Sequence, residues 1–284
     1  MHSSSSRALR CLSGTAPGLA PVCSSSRVLR RRLSGRVPES ASLWNPANYS
    51  EFAQERLRPA RDLLHRVPRI SANQPDIIDA GCGEGGPSKL LLERFPAAKL
   101  LCLDASEEML AAAQEDDALN GREMVKFSHG SIEEHFAASA ATSGKLYDLV
   151  FSNAALHWCS EPAPALMGRM LSRLRPGGAL AVQMPDNREQ PSHILLRETA
   201  SECGLSDEEV RRVPSNRHAP HEFEDALLGP LCQTLDMWST TYVQRLHGEN
   251  PVHRYVRATA MRPVLAALGG EDTEKARHFE ETCE

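Results

Sequence analysis

Ile77-Ile78-Asp79-Ala80-Gly81-Cys82-Gly83-Glu84-Gly85-Gly86 runs from an apolar, β-prone segment straight into a glycine cluster, and the residues that follow turn helical. Glycine supplies the positive φ and the close backbone approach that a tight strand-to-helix turn demands. Gly81, Gly83 and Gly86 satisfy the GxGxxG spacing of a dinucleotide-binding turn, a spacing too common to decide anything alone. The neighbouring segments decide the fold. Strands are expected at Asp76 to Ala80, Lys99 to Leu103, Glu123 to Ser128, Asp148 to Asn153 and Ala179 to Gln183. Helices are expected between them at Ser88 to Phe95, Ser106 to Leu119, Ser131 to Ala141 and Ala163 to Leu174, with Ser106 placed to cap the second. Such regular alternation predicts an α/β chain with a doubly wound, Rossmann-like, mostly parallel sheet covered by helices on both faces. Ligands of such sheets sit at the carboxyl ends of the strands.

The chain has 284 residues, with 32 Lys+Arg against 37 Asp+Glu, a formal charge of −5. The first acidic residue is Glu39. Before it stand seven arginines (Arg7, Arg10, Arg27, Arg30, Arg31, Arg32 and Arg36) and no lysine, which leaves a balance of −12 for the rest. An acidic body argues against nucleic acid as the main partner, because phosphate binding is largely Lys/Arg neutralisation. No apolar run approaches the roughly twenty residues of a membrane span. Residues 1–37, rich in Ser and Arg and free of acid, have the composition of a disordered transit peptide. A mitochondrial matrix address is expected, with plastid or cytoplasm as alternatives, since a cationic peptide is drawn toward a negative-inside membrane. The eight cysteines form no CxxC pair and suit a reducing interior, and no Cys/His spacing suggests a metal.

Residues 38–75 read as an N-terminal helical lid with an extended start at Trp44-Asn45-Pro46 followed by helical material up to Val67 whose second piece Pro59 opens. Residues 76–190 form the α/β core. Residues 191–284 read as a substrate or cap region, helical at His193 to Cys203 and Val252 to Leu268, with a β segment at Thr234 to Gln244. No strand-like run follows Leu268, so the sheet is expected to lack its last strand, through truncation or because a partner supplies it.

Asp79, two residues before Gly81, and Gly85, two after Gly83, complete a DxGxGxG pattern that resembles the first motif of class I S-adenosylmethionine-dependent methyltransferases. The resemblance implies S-adenosyl-L-methionine as cofactor. A carboxylate at Asp79 suits its cationic end, and Asp104, closing the next strand, is placed to take the two ribose hydroxyls. Asp104 fits a dinucleotide equally well, so Asp79 carries the discrimination. Further along, the same resemblance puts Ala105, Ile132 and Asn153 at the cofactor, Met109 against adenine or in the core, and Ser131 where the family commonly sets an acid. Leu174-Arg175-Pro176-Gly177-Gly178 looks like the family's helix-to-strand turn.

Three stretches narrow the resemblance. Trp44-Asn45-Pro46-Ala47-Asn48-Tyr49, Ser152-Asn153-Ala154-Ala155-Leu156-His157-Trp158 and Val182-Gln183-Met184-Pro185-Asp186-Asn187 are similar to those of trans-aconitate 2-methyltransferases, in order, from Trp44 to about Leu268. What this implies is esterification of a carboxylate on trans-aconitate or a related small polycarboxylate. Such an oxygen is already anionic at neutral pH and needs no strong general base. Arg56, Arg58 and Arg262 are the candidate hosts for the non-reacting carboxylates, because guanidinium pairs bidentately with them. His157 and Trp158 are expected at the methyl-transfer point, Gln183 and Tyr49 at the substrate, and Trp44 in a lid over the cofactor. A small anionic polycarboxylate is then the main partner, to a monomer or weak homo-oligomer. The rival readings are another small-molecule or carrier-protein carboxyl methyltransferase, and a non-catalytic mitochondrial assembly factor on the same scaffold.

Overall fold

The computed structural model describes residues 2–12, 52–137, 144–210, 218–227 and 232–283. Strand β1 spans His2–Leu12, and helix α1 spans Ala53–Arg66 with Pro59 inside it. The alternating core follows as β2 (Asp76–Ala80), α2 (Gly86–Arg94), β3 (Lys99–Asp104), α3 (Glu107–Glu115), β4 (Val125–His129), α4 (Ile132–His135), β5 (Tyr147–Asn153), α5 (Ala163–Leu171) and β6 (Leu174–Pro185). Then come α6 (Pro191–Glu202), α7 (Asp207–Val210), α8 (Pro220–Leu227), β7 (Thr234–Gln244), α9 (Pro251–Arg257), α10 (Arg262–Ala267) and α11 (Glu274–Cys283). Ser106 caps α3 as its sequence suggests, its hydroxyl accepting from Met109 N at 3.2 Å.

The seven strands lie in the order β4-β3-β2-β5-β6-β1-β7. The five from β4 to β6 pair in parallel. β1 runs antiparallel to both of its neighbours, with Leu9 opposite Val182 on one side and Met237 on the other. Two hydrophobic layers flank the sheet. One joins Ile78, Val150, Leu180 and Val182 to Met167 and Met170 of α5. The other joins Ile77, Leu100, Leu149 and Ala181 to Leu63 and Leu64 of α1 and Leu91 of α2. Period-two alternation along each strand sends neighbouring residues to opposite layers. A third cluster, built on Leu196, Val256, Leu265 and Phe279, holds the C-terminal helices together.

Two expectations change here. Residues 2–12, read from composition as part of a disordered tail, form a strand whose second half enters both cores: Leu9 and Cys11 in one layer, Ala8 in the other. The expected shortage of a strand is met from the opposite end of the sequence. Among the described residues no strand follows β7, and the place between β6 and β7 is filled by β1. The remainder of the tail, residues 13–37, lies outside the described residues, as do Trp44 and Tyr49. The stretch Arg175-Pro176-Gly177-Gly178 is absorbed into β6 as a bulge, the register shifting between Tyr147/Leu174 and Leu149/Ala179, with Gly177 at φ +81°. Arg175 closes that end of the sheet by pairing with Asp76 and Asp148, both at 2.8 Å.

Candidate active site

The glycine loop leaves β2 at its carboxyl end and turns into α2. Gly81 (φ +82°) lies so close to Ala155 that any side chain there would collide with it, and Gly85 (φ +85°) is equally blocked by Leu119. Gly83 differs: its φ is +55°, and a side chain there would meet nothing within 4 Å. Two glycines are thus required by the protein's own packing, while the third leaves backbone bare toward open space. Gly83 N donates to Asp104 Oδ2 at 2.8 Å and Ser106 N to Asp104 Oδ1 at 2.9 Å, so the acid closing β3 holds the loop in place. Burial raises the Asp104 pKa and these backbone donors oppose the rise.

Asp79 is fully buried beneath the loop. Its Oδ2 accepts from Ser88 Oγ at 2.7 Å, whereas Oδ1 has no partner among the described residues. Burial pushes its pKa up to about 7, the Ser88 hydroxyl working against this and the Asp104 charge adding to it. A buried carboxyl with one orphaned oxygen is poised for a cation.

The cavity at the strand ends has a volume of about 1080 Å³. Of the residues expected at the cofactor, Gly81, Gly83, Asp104, Ala105, Met109, Ser131, Ile132 and Asn153 line it; Asp79 and Gly85 do not, one buried below the loop and the other capping α2. Asn153 Oδ1 is buried and has no partner among the described residues. Ser131 spends its hydroxyl as acceptor for Glu134 N, in a capping box that starts α4. Immediately after Asn153 the chain bends through Ala154, whose φ of +53° is unusual for a residue with a side chain, and Ala154 N donates to Gln183 O at 3.0 Å.

Substrate candidates are placed unevenly. Arg56 lines the cavity; its Nη2 donates to Tyr255 O at 2.9 Å and its guanidinium lies 4.4 Å from the Tyr255 ring centre. Trp158 also lines it, with Cys159 and Glu133 beside it. His157 does not. It packs against Trp158 and near His193, and burial, reinforced by His193, pulls its pKa down to about 3, so the ring is neutral at physiological pH, with Nδ1 unpartnered among the described residues. In a single turn of 3-10 helix, adjacent side chains point apart, so only one of the His-Trp pair faces the cavity. Gln183 is buried at the end of β6 and is not part of the lining. Arg58 belongs to a smaller neighbouring cavity, and Arg262 is buried in the helical cap beside Met261, Val264 and Leu265. Sequence reasoning missed Ser88, Glu84, Lys89 and Arg61. Glu84's place inside the loop, Ser88 and Lys89 in the first turn of the helix it leads into, and Arg61 little more than one turn past Arg56 were the available signal.

A deep cavity at the carboxyl end of a parallel sheet, an exposed-backbone glycine and a buried, half-satisfied carboxylate suit a cofactor with a ribose and a cationic amino-acid end. The methyltransferase-domain family matches residues 73–226. Trans-aconitate 2-methyltransferase of Streptomyces avermitilis is 38% identical over 246 residues, covering 84% of this chain and 87% of that one. The chain belongs to the trans-aconitate 2-methyltransferase family. The enzyme of that name from Methylobacterium nodulans is 40% identical over 229 residues, 80% of this chain and 83% of its own. This member of the family is an S-adenosylmethionine-dependent methyltransferase, with Gly83, Asp104 and Asn153 lining the space that would hold the cofactor and Asp79 buried beneath the loop.

Proposed function

We propose that the protein methylates a carboxylate of trans-aconitate or a closely related small polycarboxylate, releasing a methyl ester. The observation that carries this reading is that one cavity is lined both by the glycine loop with Asp104 and by Arg56 and Arg61 of α1, so cofactor and anion share a space. S-adenosylmethionine supplies the electrophilic methyl group when bound. The acceptor oxygen is already ionised, so the chain's own contribution is placement, and effective molarity of this kind contributes on the order of 7 to 11 kcal/mol. Neutral His157 agrees with a reaction that needs no proton carrier. Arg56 is tethered to Tyr255 by a hydrogen bond and by its ring, which restricts the guanidinium before substrate arrives. Trp158 walls the same space and limits water.

Incubating the protein with S-adenosylmethionine and a panel of polycarboxylates, followed by mass spectrometry, tests the reading. A methyl ester on trans-aconitate is expected, and its absence alongside an ester on another acid would transfer the activity to that acid. No heat of binding with S-adenosylhomocysteine would point instead to a non-catalytic role.

The basic composition of residues 1–37 supports a mitochondrial address as a further part of the proposal. Removal of that segment would also remove β1 from the sheet. Fusion of residues 1–37 to a fluorescent reporter tests it, and diffuse cytosolic signal would count against it.

A further inference from the structure

The main cavity offers an anion Arg56 and Arg61 on its α1 side, but taken as a whole it draws anions from solution poorly. Among the described residues its lining carries seven carboxylates against three permanent cations, and one of those cations, Lys89, is already bound to Asp116 at 2.5 Å. The excess acid suits a cationic cofactor but repels a di- or tricarboxylate. Next to it, a second and more open cavity of about 260 Å³ has the opposite character. Arg58, Arg61 and Arg245 line it, with Glu55 as the one acid among the described residues.

Arg58 and Arg61 stand one turn apart on α1, and Arg245 follows directly after β7. None of the three is ion-paired among the described residues; Arg61 Nη2 donates only to the neutral Gln54 Oε1, at 2.9 Å. Arg58 is held over the Tyr242 ring at 5.1 Å, and Tyr242 is itself anchored by its hydroxyl, which donates to Asp62 Oδ2 at 2.6 Å. Gln244 Nε2 donates to Glu55 O at 3.2 Å and so fixes the end of β7 to the first turn of α1. Two elements remote in sequence are therefore locked together with three like charges between them. Like charges so gathered repel one another unless an anion is to be received. Gln54 and Arg61 line both cavities, so the two spaces adjoin.

We propose that Arg58, Arg61 and Arg245 form an anion-binding annex that captures a di- or tricarboxylate and delivers it, through Arg61, to the methyl-transfer cavity. The annex gives an acidic enzyme local attraction for an acidic substrate, and bidentate guanidinium–carboxylate pairing gives it selectivity for acids with more than one carboxylate. This rests on the reading that the substrate is a small polycarboxylate.

The test uses the full chain saturated with S-adenosylhomocysteine and citrate as a non-reacting tricarboxylate, followed by calorimetry at low ionic strength. Citrate binding is expected in the parent protein and to weaken about tenfold or more in the Arg58→Gln/Arg245→Gln variant, as loss of charge-assisted pairs demands. The S-adenosylhomocysteine affinity, read in the same experiment, reports that the variant is folded. With trans-aconitate as substrate, the variant should show a KM raised by a similar factor, a smaller effect on kcat, and a weaker dependence of kcat/KM on salt. Citrate affinity and KM both unchanged would overturn the annex while leaving the methylation reading intact. Arginine-dependent citrate binding without any methyl ester on trans-aconitate would support the annex and remove trans-aconitate as substrate.

Discussion

Replacing Leu9 by alanine is the sharpest test of the N-terminal strand. Leu9 is 4% exposed and packs in the layer that contains Val182, Met184 and Met170, opposite Val182 and Met237 in the ladder. A leucine truncated in such surroundings costs the transfer energy of its lost carbons plus a cavity term, together about 3 kcal/mol. For a domain of this size each kcal/mol lowers the melting temperature by about 2 to 4 °C, so a drop of roughly 6 to 12 °C is expected. Val243→Ala serves as the control, because Val243 is 61% exposed and its truncation should move the midpoint by no more than about 1 °C. Thermal unfolding followed by circular dichroism reads both. Native-state hydrogen exchange adds a second measure, since the amides of Ala8 to Cys11 should be protected to the level of the β6 amides. Equal, small shifts for Leu9→Ala and Val243→Ala, with fast exchange at Ala8 to Cys11, would refute the insertion of β1. Deleting residues 2–12 is the stronger form of the experiment: among the described residues β7 has no other neighbour in the sheet, so it should detach together with Trp238 and Tyr242.

Four other outcomes follow from the site. Asp79 has a pKa raised to about 7, so between about pH 4 and pH 7 the unfolded chain releases this proton before the folded one does, and its contribution to stability of the free protein is full below pH 4 and lost by about pH 7. A cationic ligand favours the ionised form, so S-adenosylhomocysteine should bind more tightly from pH 5.5 to 7.5 and release a proton at pH 6; heats of binding that do not vary with buffer ionisation enthalpy would contradict this. Gly83→Ala should weaken S-adenosylhomocysteine binding at least tenfold with a modest loss of stability, whereas Gly81→Ala should lower the melting temperature sharply because it meets Ala155; calorimetry and thermal melts separate the two. Ala154→Gly should stabilise by about 1 kcal/mol by relieving its left-handed backbone, and a lowered melting point would argue that its methyl is needed in the cavity wall. Arg262→Ala should lower the melting temperature without the rise in KM that the sequence alone suggests, because its side chain is buried in the helical cap.

The alternating core was legible because each of its signals is local. Asp76 to Ala80 needs only its neighbours to be recognised as a strand buried on both faces, and Ser106 announces a helix start by chemistry that acts within three residues. The loop was readable for the same reason, since glycines with positive φ follow from the turn they must make. Side-chain direction at the site was harder. Whether His157 or Trp158 faces the cavity depends on a 3-10 turn of three residues, and whether Arg56 or Arg58 does depends on the rotation of α1 about its axis. Neither is set by spacing alone.

The N-terminal strand was illegible for a deeper reason, and its chemistry shows why composition misled. In Arg7-Ala8-Leu9-Arg10-Cys11-Leu12 two arginines interrupt the apolar run that a strand buried on both faces would show, and serines before it weaken the signal further. What makes it a strand is the pair of open edges that β6 and β7 present to each other, separated from it by more than 160 residues of sequence. Ala8, Leu9 and Cys11 are the residues those cores require, small on one face and larger on the other. Arg10 fits because Asp236, its partner across the ladder, lies 3.7 Å away and because Arg66 O accepts from its Nη1 at 2.8 Å. The charge that marked the segment as an address is therefore used inside the fold. If residues 1–37 also direct import, the two roles exclude one another in time: β1 can be read as a cationic peptide only while it is out of the sheet, so folding before translocation should slow import. A variant with Leu9 and Cys11 both replaced by serine, less able to insert, should then import faster than the parent while melting at a lower temperature, and parallel losses in both measurements would rule the competition out.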